Sequence, residues 1–173
     1  MQKLINITKL VDVCKTIEGR KKLQKIVHIL QESGFRSEFP QEFGYLHYGP
    51  YSSELREDLD QLTSTRWEFL EEKSVSSPGG YPTFRCSMTD HASECLENAG
   101  INDNPAWKSL AVELNKKSAQ ELEAISTVIF LQKHGYKDKA LKSQFNSLKP
   151  ALKSGFDSAL ENAKNLLSNN QLA

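Results

Sequence analysis

Cys86, His91 and Cys95 follow one another at x4 and x3 spacing, and Cys14 could add a fourth ligand. Thiolates and imidazoles hold zinc, but this spacing matches no common zinc pattern, and Cys86 and Cys95 both fall on predicted core faces. Each cysteine therefore reads as a small buried hydrophobe, and no metal is expected. His28, His47, His91 and His134 are scattered, without a sequence-adjacent nucleophile. The chain has no GxSxG, P-loop or HExxH motif. A non-enzymatic protein without a cofactor is the expectation.

Two other groups of residues could bind rather than react. Tyr45, His47, Tyr48, Pro50 and Tyr51 crowd one short turn. Tyrosine offers rigid, amphipathic contact area of the kind found at interface hot spots. Tyr48 and Tyr51 read as packing for the Gly49-Pro50 turn, whereas Tyr45 and His47 are open to either role. Immediately after the turn come Glu54, Glu57, Asp58 and Asp60, against a single Arg56. Together Glu54, Glu57, Asp58, Tyr45 and His47 form the candidate partner-binding surface. Upstream, Arg20, Lys21, Lys22 and Lys25 form the candidate nucleic-acid contact, with a merely solvated helix face as the competing reading.

These groups need helices and a turn to position them. Leu23, Ile26, Val27 and Leu30 recur at the spacing of one buried helical stripe, and Gly34 supplies a stop. The four cations lie near the start of that helix, where its dipole does not favour them. Ser52 or Ser53 can cap the next helix, with Leu55, Leu59 and Leu62 as its buried face. Period-two alternation then predicts strands at Trp67–Phe69 and Phe84–Met88, joined by a turn at Pro78-Gly79-Gly80.

An earlier helix is predicted over about Ile5–Lys15, and helices return at Asp90 and at Pro105, the latter as a first helical residue. Ser118 and Glu121 form a capping box for a long helix through Gln132. Two more helices follow, one on Leu141, Phe145 and Leu148, the other on Leu152, Phe156, Leu160 and Leu167. That last stripe is the candidate for self-association into a dimer. The fold class is mostly α with a small β-hairpin: a winged-helix-like domain over residues 1–102 and a helical extension over 103–173.

Charge bounds the function. Lys+Arg and Asp+Glu both number 22, so nothing pulls the whole chain toward nucleic acid or an anionic membrane. Residues 1–50 hold eight cations against five anions, residues 51–100 four against ten, and residues 101–173 ten against seven. The acidic third contains the helix that a winged-helix protein usually lays in the DNA major groove, where carboxylates are repelled by phosphates. The longest apolar run, Val128–Leu131, cannot cross a bilayer, and the N-terminus lacks a signal-peptide pattern. Three cysteines without a CxxC pair fit a reduced cytoplasm.

GRKKLQKIVHIL, then F-x-Y-x-x-YGPYSSEL, an acidic helix, a GG-containing hairpin and a T-D helix start resemble the YwgA-like bacterial proteins. GR-x-x-LQK and YGPYS more loosely resemble the SocA/Panacea domain of antitoxins. The resemblance covers roughly residues 5–100. It implies a winged-helix-type module used in prokaryotic regulation, toxin neutralisation or conflict with mobile elements such as phage. The leading expectation is a regulatory or accessory protein acting through a protein partner. The alternative is a DNA-binding transcriptional regulator using the basic helix near Arg20–Lys25.

Overall fold

The structure, a computed structural model, describes residues 1–76, 82–101 and 104–168. It opens with α1 (Gln2–Cys14), the two-residue strand β1 (Ile17–Glu18) and α2 (Arg20–Glu32). A small hairpin follows, β2 (Gly44–Leu46) and β3 (Gly49–Tyr51), leading directly into α3 (Ser53–Leu62). Strands β4 (Leu70–Ser76) and β5 (Pro82–Met88) and helix α4 (Asp90–Asn98) close the first half. The second half is helical: α5 (Lys108–Lys116), α6 (Ala119–Lys133), α7 (Asp138–Leu148), a 3-10 turn at Pro150–Gly155, and α8 (Phe156–Ser168).

The main sheet is antiparallel with order β1-β5-β4. Ile17 pairs with Cys86, and Leu70 with Met88, so β5 lies between the other two strands. Ile17, Leu70 and Cys86 are all buried, which roots the sheet in the core. Phe84, farther out on β5, is exposed. The chain is mostly α-helical with this small β part. No helix among the described residues is long and apolar enough to cross a membrane.

Local chemistry sets the helix boundaries. Ser52 caps α3 by accepting the Leu55 N–H at 3.1 Å, and Thr89 caps α4 by accepting that of Ala92 at 3.2 Å. Ser118 and Glu121 close the capping box of α6 in both directions, at 3.2 and 2.8 Å. Gly34, with φ +104, stops the chain after α2.

Three expectations need correction. The first hairpin strand starts at Leu70 and not at Trp67. Ser64 accepts the N–H groups of both Trp67 and Glu68, and Glu68 has φ +48, so this stretch is a turn. Pro105 likewise precedes its helix: its carbonyl accepts the Lys108 N–H in a turn that leads into α5. Leu152 sits in the 3-10 turn, and α8 begins only at Phe156. The Pro78-Gly79-Gly80 turn lies outside the described residues.

The hydrophobic core does not stop at residue 102. One cluster takes Ile7, Leu10 and Val11 from α1, Leu23 to Leu30 from α2, and Leu55, Leu59 and Leu62 from α3. It continues through Trp107, Leu122, Val128, Phe145 and Phe156 of the second half. Helix α6 is buried nearly all round and packs against α2, β3, α7 and α8. Trp107 meets Phe39 edge-on with ring centroids 5.2 Å apart, tying the start of α5 to the loop after α2. Each such side chain taken from water contributes about 1.5–3 kcal/mol.

Candidate functional site

The β2–β3 hairpin turns through His47 and Tyr48, with Leu46 paired to Gly49. Its short strands cannot hold this shape alone, so side chains from elsewhere secure the backbone. Lys25 Nζ donates to the Pro50 carbonyl at 2.5 Å. Lys149 Nζ donates to the His47 carbonyl at 2.8 Å and pairs with Glu123 at 2.5 Å. Gln24 completes the set with two bonds to Ser52: its amide donates to the carbonyl at 2.8 Å, and its oxygen accepts the N–H at 2.9 Å. Both lysines are buried, at 3% and 4% exposure, so these bonds form away from water, where losing one is costly. Gly49 adopts φ +88, and a Cβ built there would stand 3.0 Å from Thr127 Oγ1 on α6. The turn is thus pressed against α6 at the one residue that can both take this φ and leave room.

Gln24-Lys25 and Pro50–Ser52 are therefore two halves of one clamp. A solvated face does not describe Arg20, Lys22 and Lys25, and among the four cations of α2 only Lys21 is exposed. Lys22 donates to the Asn115 carbonyl at 2.6 Å. Arg20 grips Glu72 on β4 with two bonds, at 2.7 and 2.9 Å, and also pairs with Asp60 on α3. These bonds, the Glu72 pair foremost, raise the Arg20 pKa above its ordinary value. Burial pushes the Lys25 ammonium down to about 8, aided by the nearby charges of Lys149 and Lys21 and opposed by Glu123. Lys21 is exposed, and its ammonium lies 3.3 Å from the centroid of the Tyr48 ring.

Between the start of α2, the hairpin and α3 opens a pocket of about 410 Å³. Leu46, Tyr48, Tyr51 and Leu59 give it apolar walls. Its charged lining residues are all cations: Arg20, Lys21, Lys25 and Arg56. Leu46 and Tyr48 are 54% and 56% exposed, placing two large hydrophobic side chains at one opening.

The other candidate residues fall in different settings. Asp58 is buried, 3.1 Å from Lys3 and accepting from Gln41 at 2.8 Å. Glu54 is partly exposed and pairs with Lys3 at 2.5 Å. Glu57 is fully on the surface, and His47 is exposed at the turn beside the pocket. Tyr45 is half-buried against Phe130 of α6, at 5.4 Å between centroids, and burial raises its pKa. Of the C-terminal stripe, Phe156 is buried and stacks near Phe145, while Leu152, Leu160 and Leu167 pack against the same core. Part of that apolar surface is used within the chain, and Leu152, Leu160 and Leu167 remain partly exposed. Cys86 is buried, with burial pushing its thiol up to about 12, and Cys14 is held near 11 for the same reason. Cys95 lies on the surface side of α4, its sulfur 3.7 Å from His91 Nε2.

Lys149, Glu123, Arg56 and Leu46 were not among the sequence candidates. Lys149 leaves no local trace, since its carbonyl partner lies 102 residues earlier. Leu46 carried a usable signal as an apolar residue at the tip of a hairpin too short to bury it.

Fold and site together define a mostly α-helical protein with a small antiparallel sheet, presenting a clamped aromatic turn beside a cation-rimmed apolar pocket. No family model matches the chain. It is 32% identical over 148 residues to the uncharacterized protein YwgA of Bacillus subtilis (strain 168), covering 84% of each protein. The chain belongs to the YwgA family.

Proposed function

We propose that this chain is a non-enzymatic regulatory or accessory protein that acts by binding another protein, in the manner of an antitoxin or adaptor. The observation that carries this reading is the exposure of Leu46 and Tyr48 on a turn whose backbone is fixed by buried Lys25, Lys149 and Gln24. A preorganised apolar patch loses little conformational freedom on binding, so more of its contact energy appears as affinity. The order α1-β1-α2-α3-β4-β5, with the β2–β3 hairpin inserted between α2 and α3 and β5 central in the main sheet, supports a winged-helix-type arrangement of the first half. In such an arrangement α3 would be the groove-reading helix, yet it turns Glu57 and Asp60 outward. Three of the four cations of the alternative DNA reading, Arg20, Lys22 and Lys25, are engaged within the chain.

Affinity capture of the tagged full chain from its native cells tests this. A partner retained by the wild type and lost on Tyr48→Asp supports the reading. Duplex DNA separates the alternative: a binder making several phosphate contacts loses on the order of 10³-fold in affinity between about 50 and 200 mM salt. Tight duplex binding with that slope, abolished by charge reversal at Lys21, would overturn the proposal. So would repeated capture that returns no partner.

A further inference from the structure

We propose that the pocket between α2, the β2–β3 turn and α3 receives an acidic segment of a partner protein, through one large apolar or aromatic anchor side chain. This rests on the reading of the chain as a partner-binding module and gives that partner a chemistry. The pocket volume of about 410 Å³ falls within the range of roughly 300–1,000 Å³ usual for ligand sites. Leu59 and Tyr51 offer an apolar interior, and Leu46 and Tyr48 stand exposed where an arriving side chain would first touch.

Charge selects the occupant's flanks. Lys21 and Arg56 are exposed at the pocket, Arg56 in a loose 3.7 Å pair with Asp60, and Lys25 lies deeper beneath them. Arg20 is already neutralised by Glu72 and Asp60 and contributes shape more than charge. Carboxylates on either side of an anchor would meet Lys21 and Arg56, and basic flanks would be repelled there. A nucleic-acid strand also combines rings with negative charge, but its phosphates would have to run on past Glu57, which faces solvent on α3. A short acidic segment avoids that run. The Lys21 ammonium over the Tyr48 ring, 3.3 Å from its centroid, holds that ring in place, so the anchor finds a formed wall.

The test is fluorescence anisotropy with the full chain and labelled peptides. Glu-Asp-Phe-Asp-Glu is compared with its Phe→Ala form and with Lys-Lys-Phe-Lys-Lys. The acidic phenylalanine peptide should bind, and each change should weaken binding on the order of tenfold. Arg56→Glu and Leu46→Asp, both at exposed positions, should weaken it by a similar factor while circular dichroism and thermal unfolding stay as in the wild type. Added salt should weaken the acidic peptide selectively.

Equal binding of acidic and basic peptides, or no binding of any peptide, overturns the proposal. Displacement of the peptide by 3-phenylpropionate at equal concentration overturns it in favour of a small-molecule site. Tighter binding of a single-stranded oligothymidylate, lost in Arg56→Glu, overturns it in favour of nucleic acid. If the peptides fail while affinity capture still returns a partner lost on Tyr48→Asp, only the pocket assignment falls. If both fail, the partner reading falls with it.

Discussion

His28 shows most sharply how one residue answers to its surroundings. Its ring is buried, with Nδ1 2.9 Å from Ser126 Oγ on α6 and its edge toward Phe43 at 4.8 Å. Burial, with the charges of Lys25 and Lys133, pulls its pKa from 6.5 to about 3. The unfolded chain therefore takes up a proton at this residue through a pH range in which the folded chain stays neutral. Stability from this source is complete well above pH 6.5 and is lost as pH falls toward 3, by on the order of 5 kcal/mol in all. Urea midpoints measured from pH 7 to 4 should fall steeply for the wild type. His28→Gln should start lower and slope much less; a parallel slope would show that other groups set the acid limit. Legibility at this scale followed the residue types. Leu, Ile and Phe of α2, α3 and α7 landed where helical spacing put them, because burial of apolar surface is what that spacing encodes. Lys22, Lys25 and Asp58 did not, because charged side chains are buried only when a specific partner waits, and those partners come from distant elements.

At the scale of elements, the hairpin and α6 form one joint. Gly49→Ala meets two obstacles there: a φ of +88 that a side chain disfavours, and a Cβ only 3.0 Å from Thr127 Oγ1. We expect a loss of about 1–3 kcal/mol, read from the unfolding midpoint. Adding Thr127→Ala should return the steric share and leave the conformational share, so the double variant should be more stable than Gly49→Ala alone. If it is not, the turn does not press on α6 at this atom. Helix ends were legible where a capping residue marks them, because Ser52 and Ser118 act through bonds to their own neighbours and Gly34 through its positive φ; the starts of α5 and α8 were not. The strand start was not: alternation of Trp67 and Phe69 mimics a strand, while the positive φ at Glu68 has no signature in a glutamate.

For the whole molecule, the shared core is the governing fact. Helix α2 meets α6 through His28 and Ser126 and through the Glu32–Lys133 pair at 2.6 Å, and Gln24 and Lys25 beside these contacts hold the turn. A fragment ending at residue 102 would expose the side of α2 that α6 covers and would lose the Lys149 tether. It should therefore unfold without a cooperative transition, whereas the intact chain should show a single one by both fluorescence and circular dichroism. A fragment with a sharp transition of its own would mark the first half as self-sufficient. The sequence pattern suggested two halves because the linker region is polar and the helix types change there. It held no information on what α6 packs against, since an all-round apolar surface says that the helix is buried but not by what.

The Lys149 tether also bears on timing. A ribosome releases the chain from its N-terminus, and the carbonyl of His47 waits 102 residues for the ammonium that holds it. Until the last helices emerge, the nascent protein has its exposed leucine and tyrosine on a hairpin secured from one side only. The full set of bonds on the turn is thereby completed only late in synthesis, and a product ending before residue 149 would lack this tether.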